Sequence, residues 1–177
     1  SAYVPTNVIS ITDGQLFLEP DLFNSGVRPA VNSGISVTRV GSSAQSKAMK
    51  SVSSSLKAEM AQYAALVTFA QFGTDDLDAV TRRQLERGAR FTELLKQDEN
   101  SPLSAEAQVS ALYVADKGAL DDVAVESVRT WEAQWHDYAA ANIPEVLKAI
   151  ADTGELSDDG KSKLDDAAAA FKQTVSL

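Results

Sequence analysis

Hydrophobic positions follow two different periods along the chain, and the change falls near Ser46. Before Ser46, short apolar runs rich in β-branched residues alternate with turn residues, which is typical of β-strands. Residues 7–12 and 15–18 flank the turn dipeptide Asp13–Gly14, and they predict a strand, a tight turn and a second strand. Residues 35–37 are a third short candidate. Because isolated hairpins are marginal in water, these strands need further sheet neighbours.

From Ser46 onward the apolar positions recur with a helical period. Steps of three or four residues form one stripe along a first helix, through Met49, Val52, Leu56, Met60, Tyr63, Val67 and Ala70. Gly73 is predicted to end this helix, and Thr74 or Asp75 to cap a second one that runs to about Gln97. Further helices are predicted to open at residues 104–106 and to cover residues 125–141, 144–152 and 157–174. The pattern therefore indicates a bundle of five or six helices.

The residue composition excludes several kinds of site. The chain has no cysteine and a single histidine, His136, so disulfides, thiolate metal sites and multi-histidine metal sites are excluded. Neither a G-x-x-x-x-G-K-[ST] phosphate loop nor a nucleophile beside a base occurs, which argues against an autonomous enzyme.

His136 and Arg28 are given no functional role. Trp131 and Trp135 lie one helical turn apart and predict a core position.

Negative charge is concentrated in the second part of the chain. The net charge is −9, and residues 1–60 carry five basic and four acidic side chains, whereas residues 61–177 carry eleven and twenty-one. This balance argues against nucleic acid binding, which relies on Lys and Arg at phosphates. A solvated acidic surface is one interpretation, and complementarity to a basic protein partner is the other. No apolar run approaches the roughly 20 residues that span a bilayer, so we expect a soluble intracellular protein.

Several short segments are more informative than the composition. Residues 1–15 have the sequence S-A-Y-V-P-T-N-V-I-S-I-T-D-G-Q, and residues 36–41 have the sequence S-V-T-R-V-G. Further segments are K-A-M-K, A-Q-Y, F-A-Q-F-G, R-G-A-R and E-L-L-K-Q, at residues 47–50, 61–63, 69–73, 87–90 and 93–97. Together they resemble the α subunits of the rotary ATP synthase head over essentially the whole chain. Family members carry a phosphate loop before this stretch, so the resemblance implies the C-terminal third of such a subunit.

The resemblance implies two unequal parts. Residues 1–45 are expected to be the C-terminal end of a truncated α/β nucleotide-binding domain, and residues 46–177 an antiparallel helical bundle domain. The expected fold class is therefore mainly α, with a strand-bearing remnant of an α/β domain in front of the bundle.

Three residues of the N-terminal part receive catalytic roles from the resemblance. In the family, the arginine at the position of Arg39 reaches across an interface into the catalytic site of the β subunit. A planar guanidinium suits a phosphoryl group whose oxygens gather charge in the transition state. The family serine at the position of Ser36 is needed for activity, and the serine at the position of Ser10 lies near the transferred phosphate. From the residues alone, Arg39 is a surface ion-pair candidate and the serines are ordinary strand residues.

Gln97 and Glu99 are assigned to nucleotide binding by the same resemblance. In the family, a K-Q-x-Q loop approaches the adenine of the nucleotide that the α subunit itself binds non-catalytically. This chain instead has Asp98 and Glu99 after Lys96–Gln97. A carboxylate accepts but does not donate a hydrogen bond at pH 7, so Glu99 departs from the chemistry of the family. The expected cofactor is ATP or ADP with Mg²⁺ in the complete subunit and none for the isolated chain, and no metal-binding residue is expected.

The resemblance also implies partners and a location. The expected function is that of a regulatory α subunit that completes the catalytic interface for ATP synthesis and hydrolysis in a proton-translocating complex. Its partners are β subunits in an alternating ring and the central γ rotor, which the turn at residues 72–78 is expected to approach. The complex is peripheral, on the cytoplasmic face of a bacterial plasma membrane or on the matrix or stromal side in organelles, without direct membrane insertion. The alternative is a free-standing helical interaction module derived from this family.

Overall fold

The chain folds as a mainly helical protein, as a computed structural model of residues 2–70 and 78–175 shows. In chain order its elements are α1 (Tyr3–Ile11), β1 (Gly14–Gln15), α2 (Pro20–Asn24), β2 (Val37–Thr38), α3 (Lys47–Ala70), α4 (Ala79–Leu94), α5 (Ala105–Asp116), α6 (Val128–Asn142), α7 (Pro144–Thr153) and α8 (Asp158–Thr174). Short 3₁₀ turns cover Gly41–Ala44 and Val125–Ser127. The mainly α fold class is confirmed. Within the residues described, no helix is both long enough and apolar enough to cross a membrane.

The first bundle helix lies where its apolar stripe predicted it, and the second begins later than predicted. Helix α4 is capped by Asp78, whose carboxylate accepts hydrogen bonds from the backbone N–H groups of Val80 and Thr81, each at 2.8 Å. The bond from Thr81 is the main reason that the pKa of Asp78 lies below its ordinary value. Asp78 thus satisfies two of the free N–H groups at the start of α4, whereas Thr74 and Asp75, predicted as its cap, lie outside the described residues. The predicted end at Gly73 and the turn at residues 72–78 lie almost entirely outside the described residues.

The remaining helices start close to their predicted positions. Pro144 opens α7, and the Ser157 hydroxyl caps α8 by accepting a hydrogen bond from the N–H of Gly160 at 3.1 Å. Gly154 ends α7 with a φ of +67°, in the left-handed region that favours glycine. Its carbonyl accepts a hydrogen bond from the N–H of Ala48 at 2.9 Å. This bond attaches the start of α3 to the turn between α7 and α8.

The N-terminal part differs from its prediction. Residues 7–12, predicted as a strand, lie mostly in α1, and none of the residues of α1 is buried. The sheet is limited to two residues from each strand, with Gly14 opposite Thr38 and Gln15 opposite Val37. Only Val37 of the third candidate strand lies in β2. A strand needs a neighbour to bond its backbone groups, whereas a helix bonds its own, and no further strand is available among the described residues.

The core of the bundle is built around two tryptophans. Trp131 and Trp135 are 3% and 0% exposed, and their rings stack at 6.1 Å with an interplanar angle of 7°. The ring of Phe171 from α8 meets both edge-on at 5.8 and 5.5 Å. The Trp135 Nε1–H donates to the Ser110 hydroxyl of α5 at 3.3 Å, so the one polar atom of this buried ring has a partner. The predicted core position of the tryptophans is confirmed.

Arg87 joins three parts of the bundle. Its Nε and Nη2 donate to the two carboxylate oxygens of Glu59 on α3, at 2.9 and 3.2 Å. Nη2 also donates to the carbonyl oxygen and to Oδ1 of Asp116 at the end of α5, at 2.8 and 3.3 Å. Such a planar, two-pronged contact is one that lysine cannot reproduce. The R-G-A-R segment therefore has a structural role in fixing α4 between α3 and α5.

Gly88, the next residue, allows α3 and α4 to approach closely. A Cβ at this buried position would lie 2.3 Å from ring atoms of Tyr63 and 2.6 Å from the Tyr63 Cβ. These atoms lie close to the backbone of α3, so Tyr63 cannot move aside by rotating only the end of its side chain. The glycine is required by packing, because its φ is an ordinary helical one.

We expect Gly88→Ala to lower the free energy of unfolding by about 1–3 kcal/mol, because the added methyl group forces α3 and α4 apart. Urea unfolding followed by circular dichroism measures the change. Arg83→Ala, at an exposed position of the same helix, is the matched control and should stay within about 0.5 kcal/mol of the unmodified chain. Equal stability of Gly88→Ala and the unmodified chain would contradict the close contact.

Tyr113 makes the stability of the bundle sensitive to alkaline pH. The side chain is buried, and its Oη donates to Asp165 Oδ2 at 3.3 Å. Burial, followed by the neighbouring Asp165 carboxylate, raises the pKa of Tyr113 to about 12. The folded state therefore holds this proton more tightly than the unfolded chain, in which a tyrosine pKa is about 10. Its contribution to stability is complete below pH ~10 and is lost as the pH rises through ~12.

We expect the Tyr113→Phe variant to lose less of its free energy of unfolding at alkaline pH than the unmodified chain. Between pH 10 and 12 the free energy of unfolding of the unmodified chain is expected to fall by about 2 kcal/mol more than that of the variant, since phenylalanine has no proton to lose. Urea titrations of both chains at several pH values measure the difference, in which the contribution of the lysines cancels. Parallel pH profiles would show that Tyr113 does not titrate in this way.

Candidate functional site

Arg39 directly follows β2, and the small sheet fixes its backbone. The N–H of Arg39 donates to the carbonyl oxygen of Asp13 at 2.8 Å, which extends the pairing of β1 and β2. Gly14 has a φ of +149°, and a Cβ there would lie 2.3 Å from the carbonyl oxygen of Val37. Glycine is therefore required at this crossing of the two strands. The sheet thus sets where the Arg39 side chain leaves the backbone.

The guanidinium of Arg39 is exposed and weakly held. Its Nη2 donates a long hydrogen bond of 3.5 Å to the carbonyl oxygen of Ser10. Among the residues that the structure describes, no carboxylate forms an ion pair with it. A guanidinium has five N–H donors, and this contact occupies one of them. The side chain is therefore available to bind an anionic group.

The two candidate serines have internal partners. The Ser36 hydroxyl donates to the carbonyl oxygen of Asn32 at 2.6 Å and accepts a hydrogen bond from the N–H of Phe17 at 3.0 Å. The Ser10 hydroxyl donates to the carbonyl oxygen of Asn7 within α1, at 2.8 Å. The structure thus brings Arg39 to the backbone of Ser10, while Ser36 joins the segment after β1 to the segment before β2. The described contacts include no hydrogen bond from either hydroxyl to the guanidinium.

Gln97 and Glu99 lie together in a cleft of about 920 Å³. One wall comes from residues 18–30 and the other from residues 97–102. The N–H of Gln97 donates to the carbonyl oxygen of Arg28 at 2.9 Å, which joins the two walls. Phe23, Arg28 and Pro29 also line this cleft, and sequence reasoning missed them. No local pattern indicates them, because they meet the Gln97 loop only through the fold.

The cleft combines a flat cationic surface with hydrogen-bond acceptors. The guanidinium carbon of Arg28 lies 4.1 Å from the centre of the Phe23 ring, a cation–π contact. The Gln97 Nε2 donates to the carbonyl oxygen of Ser101 at 2.9 Å, which leaves the Oε1 acceptor and the second N–H of this amide free. Glu99 is exposed on the same wall. This arrangement can hold a planar group that has hydrogen-bonding atoms along its edge.

Arg129 of α6 supports the Gln97 wall from behind. Its Nη1 donates to the carbonyl oxygen of Lys96, and its Nη2 binds Asp98 Oδ2, both at 2.9 Å. The Asp98 carboxylate is therefore neutralised by the bundle. Of the two acidic residues in the loop, only Glu99 brings an unbalanced negative charge to the cleft.

The cleft fits the base of a nucleotide better than its phosphates. Phe23 and Pro29 provide apolar surface, whereas the Glu99 carboxylate repels a phosphate group. The described residues contain no group of three or more His, Cys, Asp or Glu that could hold a metal ion. The sequence also has no phosphate loop. These residues would therefore hold only one end of a nucleotide.

Large apolar side chains are exposed throughout the N-terminal part. Those at least 41% exposed are Tyr3, Val4, Val8, Ile9, Ile11, Leu16, Phe17, Leu18, Phe23, Ile35, Val37 and Val40. In the described part of the bundle only Val80 and Leu95 are exposed to this extent. An apolar surface of this extent is typical of a segment that contacts other protein.

Comparison with known proteins relates both parts of the chain to one family. Residues 45–171 match the family model of the ATP synthase alpha/beta chain, C-terminal domain, and residues 1–38 match that of the ATP synthase alpha/beta family, nucleotide-binding domain. The ATP synthase subunit alpha of Dehalococcoides mccartyi is 55% identical over 98% of this chain. That of a Parafrankia species is 54% identical over 100% of it.

The chain covers only part of these relatives, 34% of the first and 32% of the second. The matches nevertheless extend across the small sheet, the Arg39 segment and the helical bundle. The family model of the C-terminal domain alone covers more than half of the chain. The chain therefore belongs to the ATP synthase alpha/beta family, and it corresponds to the C-terminal region of an alpha subunit.

Proposed function

We propose that this chain is the part of an alpha subunit that completes the catalytic interface with a β subunit in a rotary ATP synthase. The observation that carries the proposal is the exposed Arg39 side chain, whose guanidinium has one weak hydrogen bond and no ion pair among the described residues. An arginine with only a structural role would be expected to have a carboxylate or several carbonyl partners, as Arg87 and Arg129 have. Arg39 is instead free to contact a group on another subunit.

In this proposal Arg39 stabilises negative charge that develops on the phosphoryl group during ATP synthesis or hydrolysis. The guanidinium is planar and permanently charged, so it can donate two parallel hydrogen bonds to neighbouring phosphoryl oxygens. Ser10 holds the arginine side chain through its carbonyl oxygen. Ser36 keeps the segments on either side of the small sheet together. The Ser36 side chain and the backbone of Ser10 therefore act by positioning Arg39.

The exposed apolar side chains of the first forty residues support a division of the chain into two parts. Residues 1–45 form the C-terminal end of the nucleotide-binding domain, and residues 46–177 form the helical bundle domain. The apolar surface of the first part packs against the rest of the nucleotide-binding domain in the full subunit. The bundle contains the tryptophan core and is self-contained.

The cleft between Phe23 and Gln97 holds the base of a nucleotide that the complete subunit binds. Gln97 and Glu99 offer acceptors at its edge, while Arg28 and Phe23 offer a flat surface. The phosphates and the accompanying Mg²⁺ are bound elsewhere in the full subunit. The nucleotide in this cleft is the one that the subunit binds non-catalytically, and these four residues bind and orient its base.

The partners and location follow from the same proposal. The chain assembles with β subunits in an alternating ring around a central γ rotor, in a proton-translocating complex that is peripheral to the membrane. The acidic residues of the second part, which carries 21 acidic against 11 basic side chains, suit a basic partner such as the rotor.

Arg39→Ala is expected to lower steady-state ATP turnover by roughly 10³- to 10⁵-fold in a reconstituted complex that contains the full-length alpha subunit. Assembly and ground-state nucleotide binding should change little, because the guanidinium acts where charge develops. Arg39→Lys should restore little activity, since an ammonium group cannot make the two-pronged contact. Turnover assays and native mass spectrometry of the complex measure the two effects.

Arg83→Ala is the matched control, because Arg83 is also exposed but lies on α4. It should remain within a few-fold of the unmodified complex. If Arg39→Ala turned over at the unmodified rate in a properly assembled complex, the catalytic assignment would fail.

The isolated chain is expected to bind ATP weakly, with a dissociation constant no tighter than about 1 mM. Most affinity for a nucleotide comes from contacts to its phosphates and the metal, and the chain has no phosphate loop. Isothermal titration calorimetry with MgATP measures the affinity. A micromolar dissociation constant would contradict the expectation and would indicate phosphate contacts within this chain.

A further inference from the structure

The peptide group between Lys96 and Gln97 is hydrogen-bonded on both sides. Its carbonyl oxygen, which belongs to Lys96, accepts a hydrogen bond from Arg129 Nη1 of α6 at 2.9 Å. Its N–H, which belongs to Gln97, donates to the carbonyl oxygen of Arg28 at 2.9 Å. This peptide group is trans, so it is planar and its C=O and N–H point in opposite directions. One rigid plane therefore connects the bundle to the opposite wall of the cleft.

The orientation of this peptide plane determines where the Gln97 side chain begins. The Gln97 Cα lies in the same plane as the two bonded groups, so fixing the C=O and the N–H also fixes the position of this Cα. Gln97 lines the cleft, and its amide keeps the Oε1 acceptor and one N–H free after it donates to the Ser101 carbonyl. The position of these free groups therefore depends on one peptide group.

Arg129 contributes to this loop rather than to the bundle that carries it. Both of its described hydrogen bonds go to the loop, one to the Lys96 carbonyl and one to Asp98 Oδ2. The Asp98 side chain is 78% exposed, so this ion pair is solvated and contributes little. The bond to the Lys96 carbonyl is partly buried and charge-assisted, and such bonds are stronger. A charged donor also polarises the peptide group, which makes its N–H a better donor to the Arg28 carbonyl.

We propose that Arg129 is a positioning residue for the base of the nucleotide, because it orients the Lys96–Gln97 peptide group that joins the two walls of the cleft. The inference rests on the proposal that the cleft holds a nucleotide base. Arg129 lies behind the loop, outside the described lining of the cleft. It therefore acts on the base only through Gln97 and through the spacing of the two walls. Binding of the phosphates, which are held elsewhere in the subunit, does not depend on it.

Equilibrium dialysis of the full-length alpha subunit with MgATP and, separately, with magnesium tripolyphosphate tests the proposal. We expect Arg129→Ala to weaken MgATP binding by about tenfold, because a charge-assisted hydrogen bond that orders the loop is lost. The affinity for tripolyphosphate, which has no base, should not change. Arg129→Lys should retain part of the MgATP affinity, since an ammonium group can still donate to the Lys96 carbonyl. Asp98→Asn keeps the carbonyl bond and is the matched control, and it should lower MgATP affinity by no more than about threefold.

Hydrogen exchange of the Gln97 amide, measured in the full-length alpha subunit without nucleotide, gives a readout that needs no ligand. Arg129→Ala should speed this exchange, because the N–H bond to the Arg28 carbonyl weakens when the peptide plane is free to turn. The Ala48 amide is bonded to Gly154 within the bundle, and as the internal control it should exchange at the unmodified rate. Equal acceleration of both amides would show that the whole bundle has loosened, which contradicts a role at the loop.

Three outcomes of the binding experiment overturn the inference. One is MgATP affinity that Phe23→Ala lowers and Arg129→Ala leaves unchanged. Another is a parallel loss of MgATP and tripolyphosphate affinity in Arg129→Ala, which would indicate an effect on the whole subunit. The last is an Asp98→Asn variant that loses as much affinity as Arg129→Ala, since the ion pair would then position the loop.

Phe23→Ala tests the nucleotide cleft itself, because it removes the aromatic surface of the opposite wall. If this variant binds MgATP as tightly as the unmodified subunit, the cleft is not a nucleotide site, and the inference about the base fails with it.

Discussion

Packing of the two tryptophans of α6 against Phe171 is the interaction on which the rest of the structure depends. Trp135 is fully buried, and its only polar atom is bonded to Ser110 on α5. Because aromatic pairs of this kind have defined geometry, they fix the rotation of α6 about its own axis. That rotation decides where Arg129, on the same helix, points. Arg129 in turn holds the loop that forms one wall of the cleft.

The two parts of the chain have different sources of order. The bundle buries its apolar residues in one cluster and closes on itself through contacts such as Ala48 with Gly154 and Arg87 with Glu59. The N-terminal part instead has a small sheet, in which each strand has two residues, and many exposed apolar side chains. Its conformation depends on local hydrogen bonds, including those of Ser36. Site residues on this part are therefore supported by less packing than residues on the bundle.

The sequence predicts the bundle better than the N-terminal part for a physical reason. Helices form from local periodicity and caps, and the starts of α3, α7 and α8 followed from such signals. Strands depend on partners, so residues 7–12 could adopt a helix despite their β-branched residues. The wall of the cleft that contains Phe23 and Arg28 was missed because its contacts are distant in the chain. The catalytic role proposed for Arg39 came from the family resemblance, whereas the exposure of its side chain could be seen only in the fold.

The hydrogen bonds of Arg129 have a consequence for how the bundle and the cleft influence each other. One guanidinium bonds both the backbone and a side chain of the loop, so the loop and the first turn of α6 gain or lose order together. Linkage is reciprocal. A ligand that orders the loop also stabilises the first turn of α6 against local unfolding, and local unfolding of α6 lowers the affinity for that ligand. A change in the order of α6 therefore alters ligand affinity at a cleft that α6 does not itself line.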